Sequence, residues 1–172
     1  MAYGSNLHPA RLQQRVASAR LRGHAAVTGY DLRFHKRGRD GSGKCTLIEA
    51  DTAVHVAVFE LTRDDAARLD AIEGVDNGYA AVTIAVPGFG PCFTYLAEHS
   101  HIDTTLAPFV WYRSLVLAGC HFHGFPESYI GRVRAVPAET DPDRRRQAAN
   151  GSLLRSFAGH GTADVRASQR RR

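Results

Sequence analysis

The residues best suited to chemistry stand in three places. Near the start, Tyr3-Gly4-Ser5-Asn6-Leu7 sets a Gly-Ser-Asn turn between a minimal first strand and a helix. Successive backbone N–H groups in such a turn, beside a helix N-terminus, make a cradle for an anion such as a carboxylate; a plain turn capped by Asn6 would use the same residues. Glu73 closes a helical pattern just before Gly74-Val75, where a carboxylate beside the apolar Leu69 and Ile72 could take and return protons. The run from Gly38 to Lys44 follows the phosphate-binding pattern G-x-x-x-x-G-K, but Cys45 stands where a hydroxyl would hold Mg²⁺. Since Thr46-Leu47-Ile48 reads on as strand instead of opening a helix, this stretch is expected to be a Gly-rich connector.

Histidine offers another kind of chemistry. His99 and His101, and again His121 and His123, repeat at i, i+2, with Glu98, Asp103 and Cys120 close by in sequence. Such pairs converge on a metal when each lies on a strand. Here one pair follows a predicted helix and the other falls in a predicted loop, so solvated or pocket-edge histidines are expected, with no metal.

These residues need elements to position them. HPARLQQRV, with Pro9 near the first helical position and Leu12 and Val16 four apart, predicts a short helix. HAAVTGYDLRFHK, TLIEA and TAVHVAVFEL predict strands. Thr62 and Asp65 form a T-x-x-D cap for a helix from Thr62 to Glu73, whose Ala66, Leu69 and Ile72 make one apolar face. YAAVTIAV and PCFTYLA flank Pro87-Gly88-Phe89-Gly90 and predict a hairpin. A further helix is expected from about Pro108 to Ala118, ended by Gly119. The expected architecture is a single α+β domain, in which a small, mixed but mostly antiparallel, barrel-like sheet is flanked by helices.

The chain has 172 residues, of which 44% are hydrophobic and 23% charged. That suits one core that needs neither disulfide nor structural metal. Cys45, Cys92 and Cys120 are odd in number and far apart, no apolar run approaches the length of a membrane span, and the first residues lack a signal-peptide pattern. A soluble protein of a reducing, cytoplasmic compartment is expected. The net charge of +5 is unevenly placed: residues 1–131 carry −1, and residues 132–172 carry +6. That second stretch mixes Pro, Gly, Asp and Arg with little apolar sequence and reads as a basic, disordered tail, with nucleic-acid binding the less favoured use of its arginines.

Taken in order, YGSNL, FHKRGRDGSGK, LDAIEGV followed by NGY, then TYLA, and finally Tyr112-x₃-Val116-x₂-Gly119 with HGFPESY form a series. Over residues 1–131 the chain resembles the γ-glutamyl cyclotransferases. The resemblance implies a cofactor-free enzyme that releases a small-molecule γ-glutamyl substrate's glutamyl group as 5-oxoproline, freeing an amino acid or amine. It implies that Tyr3, Gly4, Ser5, Asn6 and Leu7 hold the glutamyl end, that Glu73 is the acid/base, and that Tyr79, Tyr95 and Tyr112 are pocket aromatics. Only Met1 and Ala2 precede Tyr3, fewer residues than the family usually carries there, so either the first strand is clipped or the true start lies upstream. Three alternatives stay open: a relative acting on γ-glutamyl amines or a γ-glutamyl natural-product intermediate, a non-catalytic γ-glutamyl or carboxylate binder, and a basic-tailed interaction protein using an inherited fold.

Overall fold

A long hairpin carries the fold in this computed structural model, which describes residues 1–158. Strand β1 (Arg20–Arg37) pairs antiparallel with β2 (Gly43–Glu60). TLIEA and TAVHVAVFEL, expected as separate strands, are one. The intervening Asp51 is absorbed by a register shift opposite Gly29, whose φ of 86° opens the backbone for the bulge. The Gly-rich stretch is the hairpin connector, closed by Gly38 N–H donating to Ser42 O at 2.8 Å. A second hairpin pairs β3 (Tyr79–Val86) with β4 (Gly90–Ala97), and Gly88 and Gly90 supply the left-handed turn conformations.

The antiparallel sheet of the expected α+β fold is built from two hairpins, each a two-stranded sheet. The N-terminal residues tie them together. Ala2 exchanges both backbone hydrogen bonds with Ala57 of β2, at 2.8 and 2.9 Å. On its other side, the Met1 ammonium donates to Phe93 O and Thr94 Oγ1 donates to Met1 O, both on β4. The short first strand is thus a bridge whose brevity is enough to span the two sheets.

Among the described residues, five α-helices flank the sheets: α1 (Pro9–Arg15), α2 (Arg63–Glu73), α3 (Val110–Phe122), α4 (Glu127–Ala135) and α5 (Arg144–Ala158). Helix α1 starts after His8, with Pro9 at its first position; Asn6 is not its cap. The T-x-x-D cap of α2 forms, with Thr62 accepting from Asp65 N–H, and Gly74 stops the helix at φ 79°. Helix α3 runs through Gly119, the expected stop, and ends before Gly124, which takes the positive φ of 61°. Gly119 is there for contact. A Cβ on it would lie 2.2 Å from Leu7 Cβ, so the missing side chain lets α3 press against the N-terminal loop. The core lies between β2, with Val54, Val56 and Ala57 fully buried, and α3 and α4, which contribute Val116, Cys120, Ile130 and Val133.

The expected boundary at 131 and the disordered tail after it are corrected by residues 132–158. The boundary cuts α4, and the chain beyond forms α5 on α3. Average composition concealed two specific anchors. Asp141 is buried and accepts from Trp111 Nε1 at 2.7 Å and from Arg146 through two bonds of 2.6 Å. Asn150, Leu153 and Phe157 share the helical face begun by Arg146, and the buried Phe157 ring stacks on His8 at 4.1 Å. The last arginines, Arg170 to Arg172, lie outside the described residues. No helix among the described residues is long and apolar enough to cross a membrane.

Candidate active site

The N-terminal loop is fixed from beneath before it can present anything. Leu7 is fully buried against Gly119, and its carbonyl accepts from His123 Nε2 at 2.8 Å. Gly4 packs on Cys45, where a Cβ would come within 2.9 Å of the Cys45 Cβ. Leu7 N–H donates to Gly4 O at 3.0 Å, closing the turn. The N–H groups of Gly4, Ser5 and Asn6 have no acceptor among the described residues. Consecutive free donors at a largely buried turn are unusual, because buried backbone N–H groups are nearly always paired.

Glu73 reaches this loop from the last residue of α2, where Gly74 turns the chain away. Its Oε1 accepts from Asn6 Nδ2 at 2.8 Å and from Arg15 at 2.5 Å. Both recorded bonds fall on Oε1, so Oε2 is left free among the described residues. The carboxylate is therefore held in one orientation by two donors, with one oxygen available to a ligand. Asn6 Oδ1 is buried and has no hydrogen-bond partner among the described residues.

Glu73, Ser5, Tyr79 and Tyr112 line two adjoining chambers. The first is walled by the N-terminal loop, Cys45, Leu69 and Tyr95. The second opens between α1, the β1–β2 connector and α3, and is rich in cationic side chains.

Every other residue that the sequence singled out for the pocket lines the first chamber except Leu7, which lies beneath the loop. The tyrosines hold its walls together. Tyr79 donates to Cys45 O at 2.6 Å, Tyr112 accepts from Cys45 N–H at 3.1 Å, Tyr3 donates to Tyr95 O, and Tyr95 donates to Asp70 at 2.6 Å. Burial pushes all four phenols well above their ordinary range, so they stay neutral. Burial likewise raises the Cys45 thiol, which makes it a poor nucleophile despite its position. The histidine pairs do not converge. His99 and His101 sit in a 3₁₀ turn, His121 and His123 at the end of α3, and no cluster suited to a metal occurs among the described residues.

Sequence reading missed Arg15, the ion-pair partner of Glu73, and the cations of the second chamber. A signal existed: Arg11 and Arg15 are four apart on α1, hence on one helical face. Nothing local to α1 says that this face meets the end of α2.

Comparison with known proteins follows the same pattern. A family model described as gamma-glutamyl cyclotransferase, AIG2-like, matches residues 1–112. A solved structure titled gamma-glutamyl cyclotransferase superposes with a TM-score of 0.76 at 20% identity, covering 90% of this chain and 96% of that one. An uncharacterized protein from Homo sapiens gives 0.74 at 20% identity, covering 90% and 95%. YkqA from Bacillus subtilis gives 0.64 at 20% identity, over 80% of this chain and 54% of that one. No curated protein matches at a significant level. At these identities the structural likeness establishes the fold.

Proposed function

Because the chain belongs to the gamma-glutamyl cyclotransferase, AIG2-like family, we propose that it cyclises the γ-glutamyl group of a small-molecule substrate and releases 5-oxoproline. The observation that carries the reading is Glu73, oriented by Asn6 and Arg15 through one oxygen and open through the other, beside three unpaired backbone donors. The N–H groups of Gly4, Ser5 and Asn6 suit the glutamyl α-carboxylate, placing the α-nitrogen and γ-carbonyl near Glu73.

The reaction asks little more of the protein. The substrate's α-ammonium loses a proton to Glu73 Oε2, and the freed amine attacks the γ-carbonyl carbon, forming the ring C–N bond. Collapse of the tetrahedral intermediate breaks the bond to the leaving nitrogen, which takes one proton from Glu73, and the ring nitrogen gives up its second proton through the same carboxylate, so that the amine departs as its ammonium and the lactam is left neutral. No electrons are exchanged and no cofactor is consumed. Folding the substrate onto itself removes much of the entropic barrier, and the neutral tyrosines keep the chamber free of competing bases. The three cysteines are free thiols, which suits the reducing, cytoplasmic setting in which we place the enzyme.

The test is 5-oxoproline release from γ-glutamyl dipeptides, glutathione and γ-glutamyl amines. Release that disappears in Glu73→Gln supports the reading. Absence of release from all three classes overturns it.

A further inference from the structure

The second chamber has a charge imbalance that the cyclisation does not use. Five cationic side chains line it, Arg11, Arg15, Lys36, Arg39 and Lys44, against two carboxylates, Glu73 and Asp40. Arg15 is paired to Glu73 at 2.5 Å and Lys44 to Asp40 at 2.7 Å. That leaves Arg11, Lys36 and Arg39 without a carboxylate within 4 Å among the described residues. Lys36 is the most telling. It is only 5% exposed, and its Nζ rests 4.7 Å from the Tyr79 ring centroid with no hydrogen-bond acceptor among the described residues. Arg11 Nε is buried with no hydrogen-bond partner among the described residues.

Burying a cation such as Lys36 with no carboxylate in contact is costly, since Glu73 and Glu98 act on it only from beyond 4 Å, and an anionic ligand would supply the missing contact. The sequence agrees. The chain has twenty arginines and two lysines, yet both lysines, Lys36 and Lys44, line this chamber.

We infer that the second chamber is a leaving-group subsite for an acidic amino acid, one whose side-chain carboxylate is read, together with its α-carboxylate, by Lys36, Arg11 and Arg39. This rests on the cyclotransferase reading, which puts the glutamyl end on the Gly4–Asn6 loop and the scissile bond at Glu73. The leaving group must then point away from the first chamber, and the second shares Glu73, Tyr79 and Tyr112 with it.

The discriminating pair is γ-glutamyl-glutamate and γ-glutamyl-glutamine, which have the same shape and differ by one charge. Wild-type kcat/KM should favour the glutamate compound by about tenfold or more, as expected for a charge-assisted contact in a partly desolvated site. The preference should shrink in 0.5 M NaCl, a buffer condition that screens the exposed Arg39. It should fall toward one in Lys36→Met, which keeps the apolar stem over Tyr79, and fall in part in Arg39→Gln, a surface change that spares folding. Calorimetric binding of both compounds to Glu73→Gln reports the subsite apart from turnover. Equal binding overturns the subsite whether or not the wild type turns over. A preference that survives unchanged in both cation variants overturns the residue assignment. A glutamate preference in binding with no 5-oxoproline from any substrate keeps the subsite and overturns the catalytic reading.

Discussion

Glu73 Oε1 carries two donors while Oε2 carries none among the described residues, and on the proposed reading this asymmetry separates the residue that reacts from the residues that aim it. Glu73→Gln preserves shape but cannot accept the ammonium proton. Its kcat should fall by about 10²–10⁴-fold with a wild-type melting curve, as expected for loss of a general base. Normal folding with near-wild-type turnover would remove Glu73 from the mechanism. On the proposed reading, Asn6 positions Glu73 through its side chain and meets the substrate through its backbone N–H. Asn6→Ala keeps the backbone N–H and loses the 2.8 Å bond to Glu73. Its kcat should therefore drop roughly tenfold while KM changes little, since small misplacement of a catalytic group is costly to rate. A variant whose KM rises with kcat intact would reverse that division.

At the scale of elements, the loop owes its shape to α3 more than to its own sequence. Gly119 lets the helix approach Leu7, and a Cβ there would also lie 3.0 Å from His8 N. Gly119→Ala must displace the loop or the helix, because the clash is with Cβ and backbone atoms and not with a flexible side-chain end. The expected cost is about 1–3 kcal/mol, the range for overpacking a filled core, and substrate binding should weaken as the Gly4–Asn6 donors shift. Thermal melting together with KM checks this. Unchanged values of both would mean that the loop stands without α3. Gly131, where an added Cβ meets nothing within 4 Å, is the control helical glycine: Gly131→Ala should leave KM unchanged.

The whole molecule is closed by the segment that composition suggested was loose. Asp141 joins α5 to the single tryptophan, Trp111, so indole fluorescence reports the docking directly. Asp141→Ala leaves Trp111 Nε1 and Arg146 without their acceptor and should cost about 2–4 kcal/mol, the scale for breaking a buried charged network. Deletion of residues 141–172 should lower the melting temperature and reduce 5-oxoproline release, since Phe157 no longer covers His8 beside the loop. Retention of full stability and activity would return this segment to the status of a dispensable tail. The pH dependence has a definite sign. Arg146, with Trp111 N–H, holds the Asp141 carboxyl at about 2, down from its ordinary 3.8. A depressed carboxyl stabilises the fold fully above its unfolded pKa and loses that contribution as pH falls through the folded value. The Trp111 signal should thus hold above pH 4 and change between about 4 and 2, a transition absent in Asp141→Ala.

What could be read from the sequence was local. The cap Thr62-x-x-Asp65 and the stop at Gly74 delimit α2 because a helix end is decided by residues within a turn of it. That is enough to place Glu73 at the C-terminus. The Pro87–Gly90 hairpin was equally legible, since its turn needs left-handed conformations that glycine supplies. Together with the ordered motifs they carried the α+β class and the family resemblance. Tertiary structure decided the rest, because each such feature depends on residues far apart in the chain. Asn6 reads as a helix cap until α2 arrives with Glu73, 67 residues on. Gly119 reads as a helix stop until Leu7 is seen to need the space. The region after 131 reads as disordered on average composition, yet Asp141 and Phe157 anchor it at two points, because order needs only a few well-placed contacts on one helical face. The basic chamber is the clearest case: Arg11 and Arg15 come from α1, Lys36, Arg39 and Lys44 from the β1–β2 hairpin, and only folding brings their charges together.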